Sequence, residues 1–127
     1  VDSEDSGLEK AYCCIASNAR DFARLGKLYR DGGKWNGKQL IPQDFIKKSV
    51  SPRFADTPYY GYGWWLLDYK GVHYYMMRGH LGQYVIVKPT NGVIIVRLGH
   101  QTGEKTSEDD VYSSDIYEYI DEVNAML

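Results

Sequence analysis

The sequence predicts an α+β fold of the α/β-sandwich type: an antiparallel sheet of about four strands, preceded by two helices and closed by a third. Three observations carry this. Apolar residues recur at helical spacing before position 50, the period falls to two from Tyr59, and a helical apolar stripe returns after Tyr112. A chain of 127 residues fits one domain or a piece of one. Its 43% hydrophobic and 25% charged residues, with 13 Gly against 4 Pro, exclude collagen-like, low-complexity and largely disordered classes.

The first ten residues carry Asp2, Glu4, Asp5 and Glu9, so 1–10 reads as a mobile acidic lead-in and not as a signal peptide; 11–127 is the folded domain. The chain does not begin with Met, which suggests a processed or excised product. Ala19, Phe22, Leu25, Gly26 and Tyr29 place a helix over about 18–31. Asn18 and Asp21 resemble its capping box, and Asp31-Gly32-Gly33 is its stop. A turn at 34–38 leads to a short helix with Pro42 in first position, Phe45, Ile46 and Val50 facing inward, and Pro52 as terminator.

From Tyr59, one strand face holds Tyr60, Tyr62, Trp64 and Leu66, and the other Gly61, Gly63, Trp65 and Leu67. Asp68–Val72 turns into a second strand over His73–Gln83. Tyr84–Lys88 and Val93–Leu98 flank an Asn91-Gly92 hairpin signal. Ser107-Glu108-Asp109-Asp110 reads as the cap of the closing helix. Its stripe is Tyr112, Ile116, Tyr119, Ile120, Val123 and Leu127. No repeat or linker is visible.

Net charge is −2, but 13 of the 15 basic residues lie within 11–103. Arg20, Arg24 and Lys27 fit the solvated face of the first helix, and no DNA- or RNA-binding motif accompanies the rest, so no nucleic-acid partner is expected. No apolar run approaches the roughly 20 residues of a membrane helix, and a soluble chain is expected. Cys13 and Cys14 are adjacent, where a mutual bridge is strained, and they read as reduced core thiols.

Nucleophile-elbow, phosphate-loop and zinc-protease motifs are absent from the sequence, and His73, His80 and His100 lack metal-site spacing. One segment, Tyr75 to Tyr84, stands out. Read as a strand, it projects Arg78, His80 and Gly82 from one face and Leu81 and Gln83 from the other. A polar pair beside a residue without a side chain suits a ligand that approaches the backbone; an ordinary strand with an exposed His and a packing Gly fits the same pattern.

The run from Ala16 to Gly26, then Asp31-Gly32-Gly33-Lys34-Trp35-Asn36-Gly37-Lys38, Ile41-Pro42, Tyr60-Gly61-Tyr62-Gly63-Trp64-Trp65, Arg78 to Tyr84, and Val93 to His100 resembles the penicillin-binding-protein-like serine hydrolases. That superfamily includes class C β-lactamases, D-alanyl-D-alanine peptidases, related esterases and 6-aminohexanoate-dimer hydrolases. The resemblance spans roughly 11–103 and implies the C-terminal portion of such an enzyme, a partial β-lactamase/transpeptidase-like fold.

The family's Ser-x-x-Lys and Tyr-x-Asn motifs do not occur in this chain, so the resemblance implies that it is inactive by itself and works with an N-terminal part of the same hydrolase. The third motif, Lys or His, any residue, then Gly, falls on His80-Leu81-Gly82. By resemblance, His80 supplies a polar group and Gln83 a backbone N–H to the oxyanion hole; Arg78, Leu81 and Gly82 border the substrate, with Gly82 leaving room for the acyl group. Leu81 stands where β-lactamases carry a hydroxyl or small residue, so a small ester or amide is the implied substrate ahead of a β-lactam. No metal or organic cofactor is implied. A periplasmic or cell-envelope location fits the family. The rival reading is a non-catalytic binding module that keeps the scaffold. In the family fold, Val93–Leu98 pairs on its far side with a strand of the N-terminal part, so here that edge is expected to drive a two-fold dimer.

Overall fold

The structure is a computed structural model and describes residues 7, 13, 15–107 and 110–127. The acidic lead-in falls almost entirely outside these residues. Helix α1 (Ala19–Arg30) begins as its sequence dictates. Asn18 is extended, its side chain accepts the Asp21 N–H at 3.1 Å, and its amide donates to the Asp21 carboxylate at 2.8 Å. The expected turn after α1 is a small hairpin, β1 (Lys34–Trp35) and β2 (Lys38–Gln39). Asn36 and Gly37 both take positive φ, the requirement of a type I′ turn. Helix α2 (Gln43–Ser49) follows, capped by Pro42. It buries Ile46 and Ser49, whereas Phe45, expected to face inward, lies on the surface stacked 6.2 Å from the Tyr62 ring.

The main sheet is a four-stranded antiparallel meander: β3 (Trp65–Tyr69), β4 (Val72–Gly79), β5 (Gln83–Lys88) and β6 (Val93–Arg97), in that spatial order. The alternation expected from Tyr59 starts only at Trp65. Tyr59–Trp64 is a compact turn in which the Gly61 N–H donates to the Trp64 carbonyl at 2.8 Å, so these six residues do not sort into strand faces. The register sets Leu67 against Tyr74, Met76 against Ile86 and Ile86 against Ile95.

Period two then divides the core. One face joins Leu67, Tyr74, Met76, Tyr84 and Ile86 to Tyr112, Ile116 and Ile120. The other joins Leu66, Tyr75 and Val87 to Trp64, with Tyr29 and Ile94 packed against them. Helix α1 lies on this second face, where Gly26 brings its backbone close to the sheet: a Cβ there would sit 3.1–3.3 Å from Val85, Val87 and Ile94. Burial pushes the Tyr75 hydroxyl up to about 12, with Arg30 pulling the other way and Asp31 adding to the rise.

Helix α3 (Ser114–Ala125) covers the first face, which makes a three-layer α–β–α sandwich, the predicted fold class. Its cap is Ser113, not Ser107. At the expected start, the Thr106 hydroxyl and the Ser107 N–H, the latter at 2.8 Å, donate to the Asp110 carboxylate. The capping pattern thus closes a turn with no helix behind it; Glu108 and Asp109 lie outside the described residues. Tyr112 therefore precedes α3, and its hydroxyl donates to the Leu66 carbonyl at 2.5 Å. Cys13 is half-buried and disulfide-bonded, so the reading of reduced core thiols fails there; Cys14 is outside the described residues. Among the described residues, no helix is long and apolar enough to cross a membrane.

The two sheet edges differ. Along β3, the Leu66 N–H donates to the Tyr59 carbonyl at 2.8 Å and the Leu66 carbonyl accepts from Tyr112, so the preceding turn and the α3 approach cover it. No strand pairs with the outer side of β6 among the described residues.

Candidate functional site

The segment singled out from the sequence does not run on as one strand. Gly79 pairs with Gln83, so only His80, Leu81 and Gly82 connect β4 to β5, and they form a tight reversal. Leu81 at φ 56° and Gly82 at φ 81° take the left-handed conformation that a reversal of this length demands. The shared face expected for Arg78, His80 and Gly82 is therefore absent. Gly79 and Gly82, three residues apart between two apolar strands, are the sequence signal that favours a turn.

Beside this junction lies a cleft of about 530 Å³. Met77, Gly79 and Val85 of the sheet and Phe22 of α1 line it, with Arg78, Gln83 and Tyr84 at the junction end and Ser17 among the residues preceding α1. Of the five residues named from the sequence, Arg78 and Gln83 line the cleft; His80, Leu81 and Gly82 do not. His80 is exposed on the turn, and Leu81 is 45% exposed.

Each of these residues has a definable job. Arg78 lies 5.0 Å over the Trp65 ring and 5.7 Å over Tyr112, and its Nη1 donates to the Val111 carbonyl at 2.7 Å. Its guanidinium is thereby held against the α3-side core. The Gln83 side chain pairs with both backbone groups of one residue, its Nε2 donating to the Gly99 carbonyl while its Oε1 accepts the Gly99 N–H at 3.2 Å. The space beside Gly82 is filled: a Cβ there would stand 1.7 Å from Arg97 Nη1, so this glycine makes room for Arg97. The glycines that border the cleft are Gly63 and, at the junction, Gly79. Burial raises the Tyr84 hydroxyl, while its contact with Ser113 pulls it down.

Two contributors were missed in the sequence. Gly79 was passed over because it reads as an ordinary strand glycine, and Arg97 because a charged residue ending a strand reads as surface. His73 bridges the Asp68 carboxylate at 2.7 Å and the Val50 carbonyl at 3.1 Å, which ties the β3–β4 end to α2 and leaves it no part at the cleft. Among the described residues, no cluster of three or more His, Cys, Asp or Glu could hold a metal ion.

Comparison with known proteins bears on this geometry. The family model described as Beta-lactamase matches residues 4–116. A solved structure from Bacillus anthracis that carries the name of a 6-aminohexanoate-dimer hydrolase superposes with a TM-score of 0.59 at 23% identity over 85% of this chain. The match takes in 29% of that structure, so this chain spans less than a third of its length. No curated protein matches. The family match covers most of the chain, the superposition supports the fold, and the chain belongs to the Beta-lactamase family.

Proposed function

We propose that this chain is the C-terminal segment of a serine hydrolase that transfers the acyl group of a small ester or amide to a serine and then to water. The observation that carries the proposal is the cleft at the β4–β5 junction, where two strands end in glycine-permitted backbone beside an apolar wall. In such a reaction the serine oxygen attacks the carbonyl carbon, the leaving alcohol or amine takes the proton, and water repeats the attack on the acyl-enzyme. The serine and its lysine and tyrosine partners belong to the remainder of the longer protein.

The junction supplies the other half of the chemistry. Backbone N–H groups between Gly79 and Gln83 face the developing oxyanion, where fixed donors outperform water because they need no reorientation. His80, on the turn, adds a polar group at the mouth, and Leu81 offers no hydroxyl for a β-lactam carboxylate. An acylating probe such as a fluorophosphonate tests this. The isolated chain is expected to keep its mass, and the longer protein to gain one adduct on a serine outside these residues. A stoichiometric adduct on a serine of this chain overturns the proposal. A longer protein that takes no adduct while binding small ligands turns it into the binding-module reading.

The free side of β6 belongs to the same proposal. In the longer protein another strand of that protein occupies it; in the isolated chain a second copy does. Val93-Ile94-Ile95-Val96 is apolar and β-branched, and its outer backbone groups lack a strand partner among the described residues, which is the composition that templates pairing. The isolated chain is expected to sediment as a concentration-dependent dimer. Ile95 packs on the α3-side core and Ile94 on the α1 side, so charging either would attack the core as well. The wild-type chain is therefore the clean sample. A monomer at high concentration with slowly exchanging amides throughout 93–96 contradicts the pairing.

A further inference from the structure

We infer that Arg97 is a positioning residue that sets the backbone geometry of the His80–Gln83 junction, an inference that rests on the hydrolase reading above. Arg97 ends β6, opposite Tyr84, one residue past Gln83. Its Nη1 faces three carbonyls: Gly82 at 2.7 Å, Gln101 at 2.5 Å and Leu81 at 3.1 Å. The guanidinium also lies 5.7 Å from the Tyr84 ring and 6.0 Å from Tyr119, between aromatic faces from the sheet and from α3.

The surroundings are shaped to this one group. A Cβ at Gly82 would come 1.7 Å from Nη1, and one at Gly99 would come 2.1 Å from Cζ. Two glycines that flank the guanidinium thus give it the space any side chain would take.

The turn needs such a clamp. Leu81 holds φ 56°, a left-handed conformation that is disfavoured for a γ-branched L residue and persists only where neighbours over-determine it. Its side chain is 45% exposed and does little packing. What fixes the peptide planes on both sides of Gly82 is the pair of carbonyls at Leu81 and Gly82 that accept from Arg97, together with the Gln83–Gly99 pairing next to them. Those same planes set the direction of the following N–H groups. Carbonyls drawn toward Arg97 on one side turn the donors of the next residues toward the other. A planar guanidinium with several donors can hold carbonyls from two segments at once, which a lysine ammonium on a flexible stem does not reproduce.

Two measurements test this separately. In the isolated chain, Arg97→Ala is expected to speed amide exchange at Leu81, Gly82 and Gln83 by about tenfold or more, with β3 and the α3 core unchanged. In the longer protein, the same substitution is expected to lower kcat on the order of ten- to a hundredfold with KM little moved, since misplacing a donor by an ångström suffices for that loss. Millimolar guanidinium should restore part of the rate to Arg97→Ala, and Arg97→Lys should fall between Arg97→Ala and the wild type. Unchanged exchange at 81–83 overturns the clamp. Faster exchange with unchanged kcat overturns its role in positioning. A wild-type longer protein without ester or amide turnover defeats the hydrolase reading, and the role of Arg97 in catalysis with it, while the exchange result still decides whether the clamp exists.

Discussion

Gly61→Ala is expected to destabilise the chain by about 3 kcal/mol or more and to lower its thermal midpoint by about 10 °C or more. The cause is a backbone contact that nothing flexible can relieve. A Cβ at Gly61 would stand 1.9 Å from the Ser49 carbonyl oxygen and 2.9 Å from its carbon. The same carbonyl accepts the Tyr62 N–H at 3.0 Å, so the turn before β3 is fastened to the end of α2 there. Ser49 is fully buried and its hydroxyl donates to the Phe45 carbonyl at 2.8 Å, so α2 cannot retreat without breaking its own last turn. If the turn moves instead, it takes Trp64 with it, 3% exposed and wedged 4.5 Å from Tyr29 and 5.1 Å from Tyr75. Either response opens the core between α1 and the sheet. Gly63→Ala is the control: Gly63, unlike Gly61, takes a positive φ, but a Cβ there meets nothing within 4 Å, so only the backbone cost of about 1 kcal/mol applies. A midpoint for Gly61→Ala no lower than that of Gly63→Ala would show that the α2 junction yields.

How much was legible from sequence follows from the range of the forces involved. The cap at Asn18, the hairpin at Asn91-Gly92 and the order of the meander rest on local hydrogen bonds and on period two, which a sequence displays directly. Where a local pattern met a tertiary demand, the tertiary demand prevailed. Tyr59–Trp64 alternates like a strand, but Gly61 is drawn to Ser49 and Trp64 into the core, so the chain folds into a turn. Ser107 to Asp110 caps nothing, because Tyr112 must stay outside a helix to reach the Leu66 carbonyl across the sheet.

The candidate site was half legible for the same reason. Of the segment singled out between positions 75 and 84, Arg78 and Gln83 line the cleft. The strand reading of His80-Leu81-Gly82 failed because the reversal is held by Arg97, fifteen or more residues from the carbonyls it binds there. A long-range clamp of this kind leaves no periodic trace. Gly79, two positions before Leu81, became visible only once the strand was seen to end there.

The central claim is that the end of β4 forms a wall of an acyl-transfer site, and turnover by the longer protein carrying Gly79→Val tests it most directly. Gly79 borders the cleft, and a Cβ on it would lie 3.0 Å from the Gln83 Cβ on the paired strand, which must give by a few tenths of an ångström to admit it. A branched side chain there stands in the path of the acyl group and pushes the junction N–H groups away from the oxyanion. Hydrolysis of a p-nitrophenyl ester by folded protein is expected to fall on the order of a hundred- to a thousandfold in kcat/KM, with Gly79→Ala, the smaller change, intermediate. Wild-type turnover by a folded Gly79→Val protein would contradict the claim and remove this junction from the active site.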